Sequence, residues 1–103
     1  MSNNTITAFA GLQKLAKENV SGLQFGSEDV LEEVKQRGKR RVDLQRAQAL
    51  GAQSKSNIKI YVADVEGSKY VIEATVWAAT EKNVTLKGCV LVPNRAIYKV
   101  GFF

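Results

Sequence analysis

The densest charge in the chain is "KQRGKRR", residues 35–41, which sets Lys35, Arg37, Lys39, Arg40 and Arg41 close together, with Arg46 extending the cluster. Cations packed this tightly neutralise phosphates and release counterions, which gives salt-sensitive binding without base preference. The same run also fits a solvated helix face, partly balanced by Glu32 and Glu33 through near neighbours. A second group lies far along the chain, with Lys82 on one loop and Asn94 and Arg95 on another. An arginine beside an amide suits base edges or phosphate oxygens. Ordinary turn chemistry accounts for the same residues without a ligand. Tyr61, Tyr70, Trp77 and Tyr98 fall in strands, where aromatic rings either stack on bases or make core and cross-strand pairs. Trp77 reads as core, and Phe102 and Phe103 read as either packed on the helices or exposed as a docking patch, with packing in an oligomer interface the favoured form.

The composition narrows the chemistry further. The chain has 15 Lys and Arg against 10 Asp and Glu, a net charge of +5, which raises the expectation of an acidic partner. It contains no histidine and one cysteine, so the commonest general base and the usual zinc donors are missing. No GxSxG, phosphate-cradling glycine loop or HExxH stretch occurs. The expectation is a non-enzymatic protein with no catalytic residues, no metal and no cofactor. Cys89 stands in an apolar stretch and reads as a small buried hydrophobe. A lone cysteine fits a reducing compartment. No apolar run approaches ~18 residues, and the start lacks a basic, then apolar, secretory pattern. A cytoplasmic location without membrane contact is therefore expected.

The elements that must hold these residues divide the chain in two, within one domain over residues 1–103. Residues 5–51 read as helical. In "TITAFAGLQKLAKENV", Ile6, Phe9, Leu12, Ala16 and Val20 recur at helical steps. "SGLQFGS" connects, and Ser27 caps a second helix whose apolar stripe is Leu31, Val34, Gly38, Val42 and Ala49, ending near Gly51. Gly38 either lies within that helix or breaks it in two. "GAQSKSN" reads as a linker. Residues 57–103 then read as strands: Ile58, Ile60 and Val62 alternate with Lys59, Tyr61 and Ala63, and Gly67 marks a turn. "YVIEATVWAAT" is apolar on both faces, as in a central or bent strand. "VTLKGCVLV" returns the chain, Pro93 interrupts the sheet, and "AIYKVGFF" gives a last strand. Four or five short antiparallel strands at this spacing predict an α+β fold in which helices precede a small, strongly bent, SH3-like barrel or a strongly curved sheet.

Residues 57–102, with the cadence of "VTLKGCVLVPNRAIYKV", resemble the Sm-like small barrel, especially its bacterial RNA-chaperone branch. "NRAIYKV" sits where that branch carries its Lys-His-Ala motif. Arg95 stands at the place of the uridine-contacting histidine, "TEKNV" offers Lys82 and no aromatic, and Glu73 or Ala74 replaces a usual glycine. The resemblance implies a scaffold that forms rings by pairing edge strands between subunits. Together these readings predict nucleic-acid binding, RNA before DNA, mainly through phosphates, by Lys35, Arg37, Lys39, Arg40, Arg41 and Arg46 with Lys82, Asn94 and Arg95. Self-association through edge strands is expected alongside. The competing expectation is a structural or adaptor subunit of a phage or other multiprotein assembly. A winged-helix DNA binder, with "GKRRVDLQRAQAL" as recognition helix and "VEGSK" as wing, fits less well because strands follow Thr80.

Overall fold

The computed structural model describes residues 12–103. The basic run lies in one helix, α1 (Val34–Ser54), which continues through Gly38. Among the described residues no atom of another element approaches Gly38, so its presence costs only the backbone entropy of glycine. The helix begins later than a cap at Ser27 would place it. Asp29 turns the chain instead, its carboxylate accepting the Leu31 N–H at 2.8 Å. At the other end Lys55 is left-handed (φ 55°, ψ 32°) and its N–H closes onto the Gly51 carbonyl.

The buried stripe of α1 is Leu44, Ala47 and Gly51. The stripe expected from the sequence faces water, with Val34 79% and Val42 63% exposed. Gly51 is the reason. A Cβ there would collide with the Val76 carbonyl and press on the Thr75 methyl at 3.2 Å, so the helix backbone lies almost directly on the strand beneath it. Such an approach selects small residues on the inner face, and periodicity counted on bulky residues misses it.

Among the described residues seven strands accompany the helix: β1 (Leu12–Lys14), β2 (Ile58–Ala63), β3 (Lys69–Ala74), β4 (Val76–Ala79), β5 (Asn83–Leu86), β6 (Val90–Pro93) and β7 (Ile97–Gly101). They make a four-stranded sheet in the order β1-β3-β2-β7 and a three-stranded sheet in the order β4-β5-β6. The fold is therefore α+β, but the closed barrel does not form, because among the described residues no ladder joins the two sheets. The chain instead turns corners between them. One corner is Thr75, between β3 and β4, which realises the long bent strand read from the sequence. The Thr75 hydroxyl donates to Asn57 Oδ1 at 2.8 Å, and its carbonyl accepts the Lys87 N–H at 2.9 Å. The other corner is the 3-10 turn Asn94–Ala96, entered from Pro93. Ile58, Ile60, Val62, Ile72, Val84, Leu86, Val92 and Ile97 fill the space between the sheets, and Leu44 joins them from the helix.

The helix expected over residues 5–20 is replaced where it can be seen. Leu12–Lys14 is a strand parallel to β3, and Lys17–Gly22 is a 3-10 turn; the earlier part of that expectation lies outside the described residues. Pairing with β3 overrides the local preference, since the Leu15 N–H also reaches the Val71 carbonyl. Cys89 is exposed rather than buried. It shares with Lys87 and Gly88 the three-residue turn between β5 and β6, in which Cys89 and Gly88 have positive φ, 65° and 91°.

The outer faces of the two sheets differ. Opposite Tyr61, β7 carries an extra residue, so Tyr98 and Lys99 both stand beside the Tyr61 ring. The two rings lie 5.9 Å apart. Lys59, Lys69 and, from β1, Lys14 register on the same face, with Glu73 the only acid among them. The strands β4, β5 and β6 contain no charged residue. A bulge in β4 turns Trp77 outward, 51% exposed rather than in the core, and Leu91 on β6 is 59% exposed.

Candidate nucleic-acid interface

The fold brings Arg37, Arg40 and Arg41 of the first basic group beside Lys82, Asn94 and Arg95, but leaves Lys35, Lys39 and Arg46 outside this junction. The 3-10 turn Asn94–Ala96 docks on the β4–β5 turn: the Asn94 N–H donates to the Lys82 carbonyl at 2.9 Å, and Nδ2 donates to the Thr80 carbonyl at 2.8 Å. The first half of α1 stands over this junction. Two open pockets result, of about 330 and 300 Å³, which share Arg40, Glu81 and Asn94 in their walls. Lys82 and Arg95 complete one, and Arg37 and Arg41 complete the other.

The cations do not all keep their charge for a ligand. Arg40, with its side chain only 10% exposed, forks onto both oxygens of Asp29 at 2.8 and 2.7 Å and donates to the Ile97 carbonyl of β7. Arg37 donates to the Leu31 carbonyl at 2.7 Å and sits 3.6 Å from Asp29. Burial raises the Asp29 carboxyl, but the Arg40 hydrogen bonds, the Leu31 N–H and the charges of Arg40 and Arg37 outweigh it and hold the group below the ordinary carboxylate value. Lys39 pairs with Asp43 at 2.8 Å, Arg95 donates to the Gly26 carbonyl at 2.6 Å, and Arg46 lies over the Phe102 ring at 4.3 Å. Lys35, Arg41 and Lys82 make no side-chain ion pair or hydrogen bond among the described residues and are exposed. Asn94 is buried, and its Oδ1 has no partner among the described residues, which leaves an acceptor at the wall common to both pockets.

Sequence reasoning missed Asp29 and Glu81, the acids that border this cleft, because neither stands near the basic run in a pairing register. It also passed over Lys69 and Lys99, whose place beside Tyr98 and Tyr61 depends on strand register. Among the described residues no cluster of His, Cys, Asp or Glu has the makings of a metal site, and no helix is long and apolar enough to cross a membrane. Comparison with family models, curated proteins and solved structures finds no match to the chain.

Proposed function

We propose that the protein is a non-enzymatic nucleic-acid-binding protein, RNA favoured, that holds its ligand mainly through phosphates. The observation supporting this reading is the convergence of Arg37 and Arg41 with Lys82 and Arg95 around one cleft, from stretches some four dozen residues apart. Arg40 and Asn94 serve as the frame of that cleft rather than as its contacts. Titrating a labelled oligonucleotide over rising salt is the test. Affinity should fall log-linearly, with a slope of about −0.7 per phosphate for a single strand. An Arg41→Gln, Lys82→Gln variant should bind more weakly and with a shallower slope. No binding at low salt, or a flat salt response, sinks the reading.

The Sm-like resemblance enters as part of the same proposal. Its supports are the bent β3–β4 strand, the 3-10 turn before β7 and the return of β7 to β2. Self-association through uncovered strand edges belongs with it. One observation favours a second reading, a subunit that works by protein contacts: Trp77 and Leu91 lie exposed on a sheet without charge. Light scattering separates the two, since a defined oligomer indifferent to oligonucleotides supports the second.

A further inference from the structure

The outer face of the four-stranded sheet is built differently from an ordinary solvated sheet. Tyr61 and Tyr98 are half-buried there and 5.9 Å apart, with their planes inclined at 56°. Lysine ammonium groups surround them: Lys99 Nζ is 5.3 Å from the Tyr61 ring centre and Lys69 Nζ 5.4 Å from that of Tyr98. Lys59 Nζ similarly stands 5.2 Å from the Phe103 ring. Position 101 accommodates the arrangement. A Cβ on Gly101 would come within 3.2 Å of Tyr61 Cε1 and 3.4 Å of Lys59 Cβ, so the absent side chain lets the Tyr61 ring lie across β7. The bulge opposite Tyr61 brings Tyr98 alongside.

We infer that this face is a stacking platform for single-stranded nucleic acid, with bases on Tyr61 and Tyr98 and phosphates on Lys59, Lys69 and Lys99. Two features point to this occupant. Lys14, Lys59, Lys69 and Lys99 against Glu73 make the face cationic, which suits a polyanion and not a basic second copy of the same chain. The rings sit among those cations, and each offers a π surface that any base can use. An exposed ammonium over a ring is a weak contact, easily surrendered when a phosphate draws the lysine and a base takes the ring. Burial, and then its neighbour Tyr61, pushes the Tyr98 phenol up, so it stays uncharged and does not repel the strand. A duplex presents its bases already stacked and gains nothing from the rings. The inference rests on the nucleic-acid reading above but places bases on a different surface from the phosphate cleft.

The experiment has two arms. In the first, wild-type protein is crosslinked by ultraviolet light to a 12-residue oligouridine carrying 4-thiouridine, and the adducts are mapped by mass spectrometry. Adducts at Tyr61 or Tyr98 are expected; adducts confined to residues 35–41 and 80–95 overturn the platform and leave the cleft standing. In the second, affinities for the oligouridine and for an RNA duplex of the same length are compared. Tyr61→Leu and Tyr98→Leu should each weaken oligouridine binding about tenfold with the salt slope unchanged. Lys69→Gln and Lys99→Gln should each reduce that slope by about 0.7. Tyr61→Phe, which keeps the ring, should bind like wild type, and Gly101→Ala, which displaces the ring, should not. Tyr-to-Leu variants that stay folded and bind within twofold of wild type refute the platform, as does a duplex that binds as well as the single strand. Binding lost only in Arg41→Gln, Lys82→Gln retains the cleft alone, and absence of binding by wild type removes both.

Discussion

The outer face of the β1-β3-β2-β7 sheet carries four lysines, one glutamate and two tyrosines, whereas β4, β5 and β6 carry no charge and expose Trp77 and Leu91. Both faces show aromatic rings to water. The neighbours of those rings decide what each can hold. Rings among cations suit a strand of phosphates and bases; rings among apolar residues suit the charge-poor centre of a protein interface. The backing differs as well. The three-stranded sheet is packed on α1 through β4, while the four-stranded sheet meets the helix mainly at the edge of β7, where Arg40 reaches the Ile97 carbonyl.

The largest expected effect tests that backing. Gly51→Ala forces the helix off Val76 and should cost about 3 kcal/mol in urea unfolding; a stability change below ~0.5 kcal/mol means the approach at Gly51 is not limiting. Next comes the other attachment. Arg40→Met strands Asp29 without its partner and should cost about 2 kcal/mol. The same pair sets an acid limit. The folded pKa of Asp29 is depressed, so its stabilisation is present above the ordinary carboxylate value and is lost as pH falls below about 4 toward the folded pKa. In Arg40→Met the acid limb of the thermal melting profile should flatten; an unchanged limb places the acid sensitivity elsewhere. A Trp77→Ser, Leu91→Ser variant should alter stability by no more than ~0.5 kcal/mol and leave oligonucleotide affinity within twofold, while abolishing any oligomer built on that face. Lost oligonucleotide binding in this variant erases the contrast between the faces. The smallest effect belongs to Lys39→Ala, whose exposed i,i+4 pair with Asp43 is worth no more than ~0.5 kcal/mol.

Much of the β half was legible because its signals are local. The alternation from Ile58, the length of "YVIEATVWAAT", the break at Pro93 and the strand after it all appear where the pattern places them. What depends on distant partners was hidden. Leu12–Lys14 is extended only because β3 lies beside it. Trp77 and Tyr98 take their directions from bulges, and a residue inserted against a partner strand leaves no mark in its own sequence. Gly51 read as a helix end, although it is where the helix touches the sheet. At the candidate site, the basic run and "PNRA" were visible as charge and turn chemistry. The Asp29–Arg40 pair was not, since its members share no helical spacing.

The return of β7 to β2 has a kinetic consequence. Val62 and Ile97 face each other across roughly 35 residues of sequence, whereas β4, β5 and β6 are linked by tight local reversals. Loop-closure entropy therefore makes zippering of the final strand the late event, after the short hairpins have formed. The rings of Tyr61 and Tyr98 come together only in that step, so the aromatic surface matures last during refolding. Pulse-labelled amide exchange should find β5 protected before β7, and the reverse order would overturn this sequence of events.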